Sequence, residues 1–103
     1  MPDTRSRPDF VKARLKPLRA RLREAGCDAL LVSNEVDIRY LTGFVGEDSM
    51  AIVPGRGKVI ILSDFRLDEQ IDREAPQARK VIRTGGMFEE VKKQLDDRGI
   101  NKL

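Results

Sequence analysis

The sequence contains no histidine, no tryptophan and one cysteine, and aromatic residues make up only 5% of it. Each shortage removes a class of function. Histidine is the commonest metal ligand and the usual general base near neutral pH. Without it, catalytic zinc sites of the histidine-rich kinds cannot be built from this chain. Serine and cysteine nucleophiles that rely on an imidazole are excluded with them. Cys27 has no second cysteine with which to close an internal disulfide. No apolar run approaches the ~20 residues that span a bilayer. Met1-Pro2-Asp3-Thr4-Arg5 has no apolar segment behind it of the secretory kind. Together these features predict a cytoplasmic, reducing compartment and no membrane partner.

What is present suits one domain. The 103 residues are 40% apolar and 36% charged, with a net charge of +3. That charge is mild and does not by itself imply a nucleic-acid partner. The apolar residues fall in periodic stripes and short runs, so the chain is expected to fold. Residues 1–8 read as a disordered N-terminal segment and 9–103 as the domain.

From Asp9 to Ala25 the apolar positions Val11, Leu15, Leu18, Leu22 and Ala25 recur at spacings of three and four, which marks one helical face. Gly26 supplies the stop. Pro17 lies inside the pattern and predicts a kink or a second helix start. Asp28–Ser33 reads as a buried strand, and Asn34 as the cap of a short helix ending near Thr42-Gly43. Ser49–Val53 and Lys58–Leu62 flank the turn residues Pro54-Gly55-Arg56-Gly57 and predict a β-hairpin. Asp64 caps a helix with Leu67, Ile71 and Ala75 inward, stopped by Pro76. Arg79–Arg83 is a further strand. Thr84 is the expected cap of a last helix with Phe88, Val91 and Leu95 inward and Gly99 as its stop. The order α, β, short α, β, β, α, β, α predicts an α/β fold with a mixed β-sheet flanked by helices. Only Ile100-Asn101-Lys102-Leu103 follows Gly99, where such a unit would place another strand. The chain therefore reads as truncated before a final strand.

Three stretches carry a resemblance. Ala25-Gly26-Cys27-Asp28-Ala29-Leu30-Leu31-Val32 resembles a helix-to-strand passage of the N-terminal domain shared by creatinase, prolidase and Xaa-Pro aminopeptidases. Asn34-Glu35-Val36-Asp37-Ile38-Arg39-Tyr40-Leu41-Thr42-Gly43-Phe44 is similar to the family's N-x-x-N-I-R-Y-L-T-G-F stretch. Ser63-Asp64-Phe65-Arg66-Leu67-Asp68-Glu69-Gln70 is similar to its T-D-x-R-Y-x-x-Q stretch. The resemblance covers about residues 10 to 103 and implies a ribonuclease H-like architecture.

It also implies a role. In that family a separate C-terminal pita-bread domain, absent from this chain, holds two divalent metal ions (Mn, Zn or Co) and hydrolyses Xaa-Pro bonds, or amidino bonds in creatinase. Its ligands are two aspartates, a histidine and two glutamates. The N-terminal domain builds oligomer contacts and walls the active-site mouth. The implied partners are thus the chain's own catalytic domain, further copies of the chain and a peptide substrate. Aminopeptidase, dipeptidase and creatinase-like roles all remain open. No cofactor and no catalytic residue is expected within this chain itself. The alternative is a non-catalytic protein- or nucleic-acid-binding module on the same fold.

Four residues are candidates for the substrate entrance: Arg66, Asp64, Tyr40 and Phe44. Arg66 offers a fork of donors to a peptide carboxylate, or pairs with Asp64 or Asp68 and orders the helix start. Tyr40 and Phe44 flank a glycine-bounded loop and serve either as stacking surfaces or as core. An apolar surface around Tyr40 to Val45 is expected to favour self-association. Lys12, Lys16, Arg19 and Arg23 form a basic stripe on the first helix, widened by Arg14 and Arg21. It reads as a solvated face, since no interleaved aromatics support base stacking. The carboxylates Asp64, Asp68, Glu69 and Asp72 lack the loop of a calcium site and are not expected to bind metal.

Overall fold

A computed structural model describes residues 7–103, with side chains from Val11 onward. Of the expected disordered segment, residues 1–6 lie outside the described residues, while Arg7 and Pro8 already belong to the first helix. The elements run α1 (Arg7–Ala25), β1 (Ala29–Val32), α2 (Glu35–Thr42), β2 (Met50–Pro54), β3 (Ile60–Ser63), α3 (Asp68–Glu74), β4 (Arg79–Ile82) and α4 (Met87–Asp97). A 3-10 turn, Phe65–Leu67, leads into α3.

The sheet has the order β1-β2-β3-β4. β1 and β2 are antiparallel, with Leu31 opposite Ile52, and β2 and β3 form the expected hairpin, with Ala51 opposite Ile61. β3 and β4 are parallel, with Ile61 opposite Lys80, and α3 supplies the crossover that parallel pairing requires. The mixed sheet predicted from element order is therefore present.

Side-chain alternation divides the core in two. Ala51, Val53 and Ile61 face one way, where α1, α2 and α3 cover them with Val11, Leu15, Ile38, Leu41 and Ile71. Ile52, Ile60 and Leu62 face the other way, where α4 contributes Val91 and, less deeply, Met87 and Leu95. The central hairpin is thus apolar on both faces, which explains its runs of consecutive apolar residues.

Two local expectations are corrected. α1 is one continuous 19-residue helix that passes through Pro17, so no second helix starts there. Pro17 is exposed, while Val11, Leu15 and Leu22 are buried on either side of it, so packing of the opposite face holds the helix through the lost hydrogen bond. In α4 the cap is Gly86 rather than Thr84, and the inward stripe is Met87, Val91 and Leu95 at i, i+4, i+8. Phe88 falls beside that stripe and is 75% exposed. Both readings satisfy a helical period; packing against the sheet separates them.

After α4 the chain returns to β1. The Lys102 carbonyl accepts from the backbone N–H of Asp28 (2.8 Å) and Ala29 (3.3 Å). The Asp28 carboxylate accepts in turn from the N–H of Asn101 (3.0 Å) and Lys102 (3.2 Å). The last residues therefore lie alongside the first residue of an edge strand.

Arg19 departs from the solvated basic face expected of α1. It reaches the hairpin turn, donating from Nε to the Pro54 carbonyl at 3.0 Å and from Nη2 to the Gly57 carbonyl. Gly57, at φ +90°, occupies the left-handed region that a side chain disfavours. Arg19→Ala is expected to lower stability by about 1–3 kcal/mol, since charged hydrogen bonds to the turn are lost. Urea denaturation should show the midpoint falling with an unchanged slope.

Candidate functional site

The site is built where β3 and β4 end, around the loop that follows α2. Asn34 caps α2: its Oδ1 accepts from the N–H of Val36 (2.8 Å) and Asp37 (3.3 Å). Gly43, at φ +84°, ends the helix and donates its N–H to the Arg39 carbonyl at 2.8 Å. Thr42, fully buried, donates its hydroxyl to the Ile38 carbonyl and accepts from the Phe44 N–H at 3.1 Å. The chain is thereby turned so that Phe44 drops into the core, where it is 0% exposed. A Cβ on Gly46 would overlap the Phe44 ring, so the loop closes over Phe44 only because residue 46 has none.

α3 fastens this loop. Glu74 accepts from the Val45 N–H at 2.8 Å, and Gln70 donates to the Val45 carbonyl and to Glu74 Oε1 (3.1 Å). Gln77 donates to the Thr42 carbonyl at 2.7 Å. Both backbone groups of Val45 are satisfied by side chains, so the loop is held although it lies outside the sheet.

Asp64 occupies the end of β3. Its Oδ1 accepts from the Arg66 N–H and Nε, each at 3.0 Å, and its Oδ2 accepts from Arg66 Nη2 at 2.7 Å. One carboxylate thus caps the 3-10 turn and binds the guanidinium in a fork. The Asp64 side chain is 11% exposed and that of Arg66 is 65% exposed. Two longer contacts complete the cluster: Arg83 Nη2 to Asp64 and Arg66 Nη2 to Asp48, both at 4.0 Å. The Arg66 fork holds the Asp64 carboxyl below its ordinary pKa, against the opposing effect of desolvation, and Asp64 raises Arg66 in return. Beneath the cluster the Ser49 hydroxyl donates to the Glu47 carbonyl (3.0 Å), so Ser63 is the donor in the buried 2.9 Å contact between the two serines. Arg83 Nη1 donates to the Gly85 carbonyl at 2.8 Å, and its buried Nε has no partner among the described residues.

An open groove of about 400 Å³ runs beside Arg66, walled by Glu35, Glu47, Asp48 and Gln70. Its wall is net acidic, with Arg66 as the cation. Of the four candidates, Arg66 lines the groove and Asp64 lies behind it as its anchor. Phe44 is a core residue below the loop and offers no surface to a ligand, so the entrance reading of this residue is corrected. Tyr40 is also displaced: it is 55% exposed and belongs neither to the core nor to this groove. Its ring lies under the Arg14 guanidinium of α1, 4.6 Å from the centroid, and its carbonyl accepts from Arg14 at 2.9 Å. Lys80 pairs with both Asp68 and Asp72, tying β4 to α3. Those two carboxylates therefore serve an internal ion pair.

Gln70, Glu74, Gln77 and Arg83 are structural members of the site that sequence reasoning did not single out. Gln70 closes the Ser63–Gln70 stretch, and Glu74 follows one helical turn later on the same face, which was the available signal. Among the described residues no three histidine, cysteine or acidic side chains converge as metal ligands, and no helix is long and apolar enough to cross a membrane.

Phe44→Ala is expected to cost about 3–5 kcal/mol, and Gly46→Ala about 1–3 kcal/mol through overpacking, both read from chemical denaturation. Acid unfolding should report the Asp64–Arg66 fork. The folded-state pKa of Asp64 is lowered, so its contribution is fully present above the unfolded value of about 3.9. It is lost as pH falls from there through the lower folded value. Asp64→Asn should therefore flatten the acid limb of a stability profile below about pH 4. A profile identical to that of the parent chain would show that the fork does not stabilise the fold.

Comparison with known proteins matches this arrangement. Residues 14–103 fit the family model of the creatinase/prolidase N-terminal domain. An uncharacterized peptidase of Bacillus subtilis (strain 168), YqhT, is 27% identical over 90 residues, which is 87% of this chain and 25% of that protein. The structure of an Xaa-Pro dipeptidase from Bacillus anthracis superposes with a TM-score of 0.83 at 31% identity, covering 90% of this chain and 26% of that one. The N-terminal domain of the cytoplasmic peptidase PepQ from Mycobacterium tuberculosis H37Rv gives 0.78 at 26% identity, covering 85% and 68% respectively. This chain therefore spans about a quarter of the length of the Bacillus relatives it matches. With the model matched across nearly all of its length, the chain belongs to the creatinase/prolidase N-terminal domain family.

Proposed function

We propose that this chain acts as the non-catalytic N-terminal domain of a cytoplasmic, metal-dependent Xaa-Pro peptidase. In that reading it shapes the active-site entrance and contributes to contacts between subunits. The observation that carries the proposal is the match to N-terminal domains of such peptidases over residues that contain no histidine. The two divalent ions of the family do not fit this chain, whose described residues offer no convergent ligand set. They belong with a catalytic domain outside it, and no chemical step is assigned to the residues here.

Arg66 is the residue we assign to the entrance. Asp64 engages its Nε and Nη2, so the guanidinium is held in place where Arg66 lines the groove. A positioned donor of this kind suits a carboxylate or carbonyl of a peptide, at the Arg66 side of an otherwise acidic wall. Subunit contact has its own support. Val36, Tyr40, Val45 and Phe65 are 74%, 55%, 54% and 78% exposed, and the first two are one turn apart on α2.

The chain as given, supplied with Mn²⁺, Zn²⁺ or Co²⁺, is expected to release no proline from Xaa-Pro peptides. Turnover by the pure chain would overturn the proposal. The coding sequence beyond Leu103 is expected to encode the ligand set of two aspartates, one histidine and two glutamates. In that longer protein, Arg66→Ala should raise KM about tenfold with kcat little changed, the loss of one charged contact of roughly 1.4 kcal/mol. An unchanged KM would remove Arg66 from the entrance.

A further inference from the structure

The end of the sheet opposite the Asp64–Arg66 cluster carries a different chemistry. There β2 ends at Pro54, and β1, β3 and β4 begin. α1 and α4 also end there. These termini enclose an open groove of about 910 Å³, lined by Arg23 from α1, Arg56 and Lys58 from the hairpin turn, Arg79 from β4 and Arg98 after α4. One carboxylate, Asp28, faces these five cations. The groove's excess of four positive charges is larger than the whole chain's net +3, so the remaining surface is close to neutral.

The five cations are not equivalent. Arg23 and Arg98 sit at helix C-termini, where they answer the negative end of the helix dipole. Arg98 also donates to Gln94 at 3.1 Å. Arg56, Lys58 and Arg79 have no such task. They are exposed, and among the described residues none of them has an ion-pair partner. Asp28 is committed elsewhere, to the N–H groups of Asn101 and Lys102, which also hold its pKa down. The turn bearing Arg56 and Lys58 is not a loose loop, because Arg19 clamps it from both sides of Arg56. Arg56, Lys58 and Arg79 therefore share a concave surface on which, among the described residues, none of them has an ion-pair partner.

We propose that this groove binds a chain of phosphates, through charge alone, with Arg56, Lys58 and Arg79 as the principal contacts. No aromatic side chain lines it, so recognition of bases has no structural support and recognition of phosphate has. This differs from the α1 stripe noted in the sequence. Among the stripe residues Arg23 alone lines the groove, and Arg19 is spent on the turn. The proposal is independent of the peptidase reading, since it concerns the opposite end of the sheet.

The test uses the chain as given and a labelled oligothymidylate of about 12 nucleotides. With three phosphate contacts, the logarithm of affinity should fall against the logarithm of salt with a slope of about −2. Between 50 and 200 mM salt this is roughly a twentyfold loss. R56S combined with K58S should cut the slope to about −0.7, or a loss of roughly threefold over the same range. K12S combined with K16S, on exposed α1 positions, should leave the slope unchanged. Circular dichroism of all variants should match the parent, since every altered residue is exposed. Competition by inorganic polyphosphate at equal phosphate concentration distinguishes the sources. Full displacement supports binding of any phosphate chain; weak displacement overturns binding through charge alone and points to recognition of the nucleic acid itself. The proposal fails if no binding is seen at 50 mM salt, or if R56S/K58S leaves the slope intact. It fails equally if polyglutamate displaces the probe as well as polyphosphate does, which would point to an acidic protein instead.

Discussion

The central hairpin must be buried on both faces, and the rest of the molecule is arranged to meet that requirement. All four residues of β3 are buried, as are three of the five in β2. Two strands alone cannot shield apolar groups above and below them. α1, α2 and α3 therefore cover one face and α4 the other, and the crossover through α3 brings β4 against β3. The backbone polar groups of the buried hairpin are answered in the ladder, which is why the sheet comes before any helix in explaining the fold.

That arrangement separates two chemistries by the length of a strand. At the carboxyl ends of β3 and β4, where open α/β sheets commonly place ligand sites, a single carboxylate organises Arg66 and lies close to Arg83. At the other end, three strand starts and two helix ends bring cations together from four separate segments. Arg66 at one end and Arg56, Lys58 and Arg79 at the other are exposed, so these charges can change with little disturbance of the core. The loop from Gly43 to Asp48 is the exception. Phe44 belongs to the core while Val45 through Asp48 border the groove, so packing and site geometry are coupled there.

Much of this was legible from residue order. The alternation of Ala51, Val53 and Ile61 with Ile52, Ile60 and Leu62 follows from strand periodicity. The caps at Asn34 and Asp64 follow from short polar side chains placed before apolar periods. The hairpin follows from Pro54-Gly55-Arg56-Gly57. What misled was a tie between equivalent patterns. Phe88 and Met87 both continue the Val91–Leu95 stripe, and packing against the sheet took Met87. Tyr40 and Phe44 both flank the same helix end; Thr42 and the absence of a Cβ at Gly46 sent Phe44 inward and left Tyr40 under Arg14.

By itself the sequence determined the element order, the mixed sheet, the caps at Asn34 and Asp64 and the family, because these depend on contacts between neighbours or on patterns repeated along the chain. It also determined that no imidazole chemistry is available. Only the tertiary structure decided which carboxylate holds Arg66, that Gln70 and Glu74 fasten Val45, and that Arg56, Lys58 and Arg79 share one groove. Those outcomes join residues up to several elements apart. Their energies depend on distance and burial in space, which no periodicity along the chain encodes.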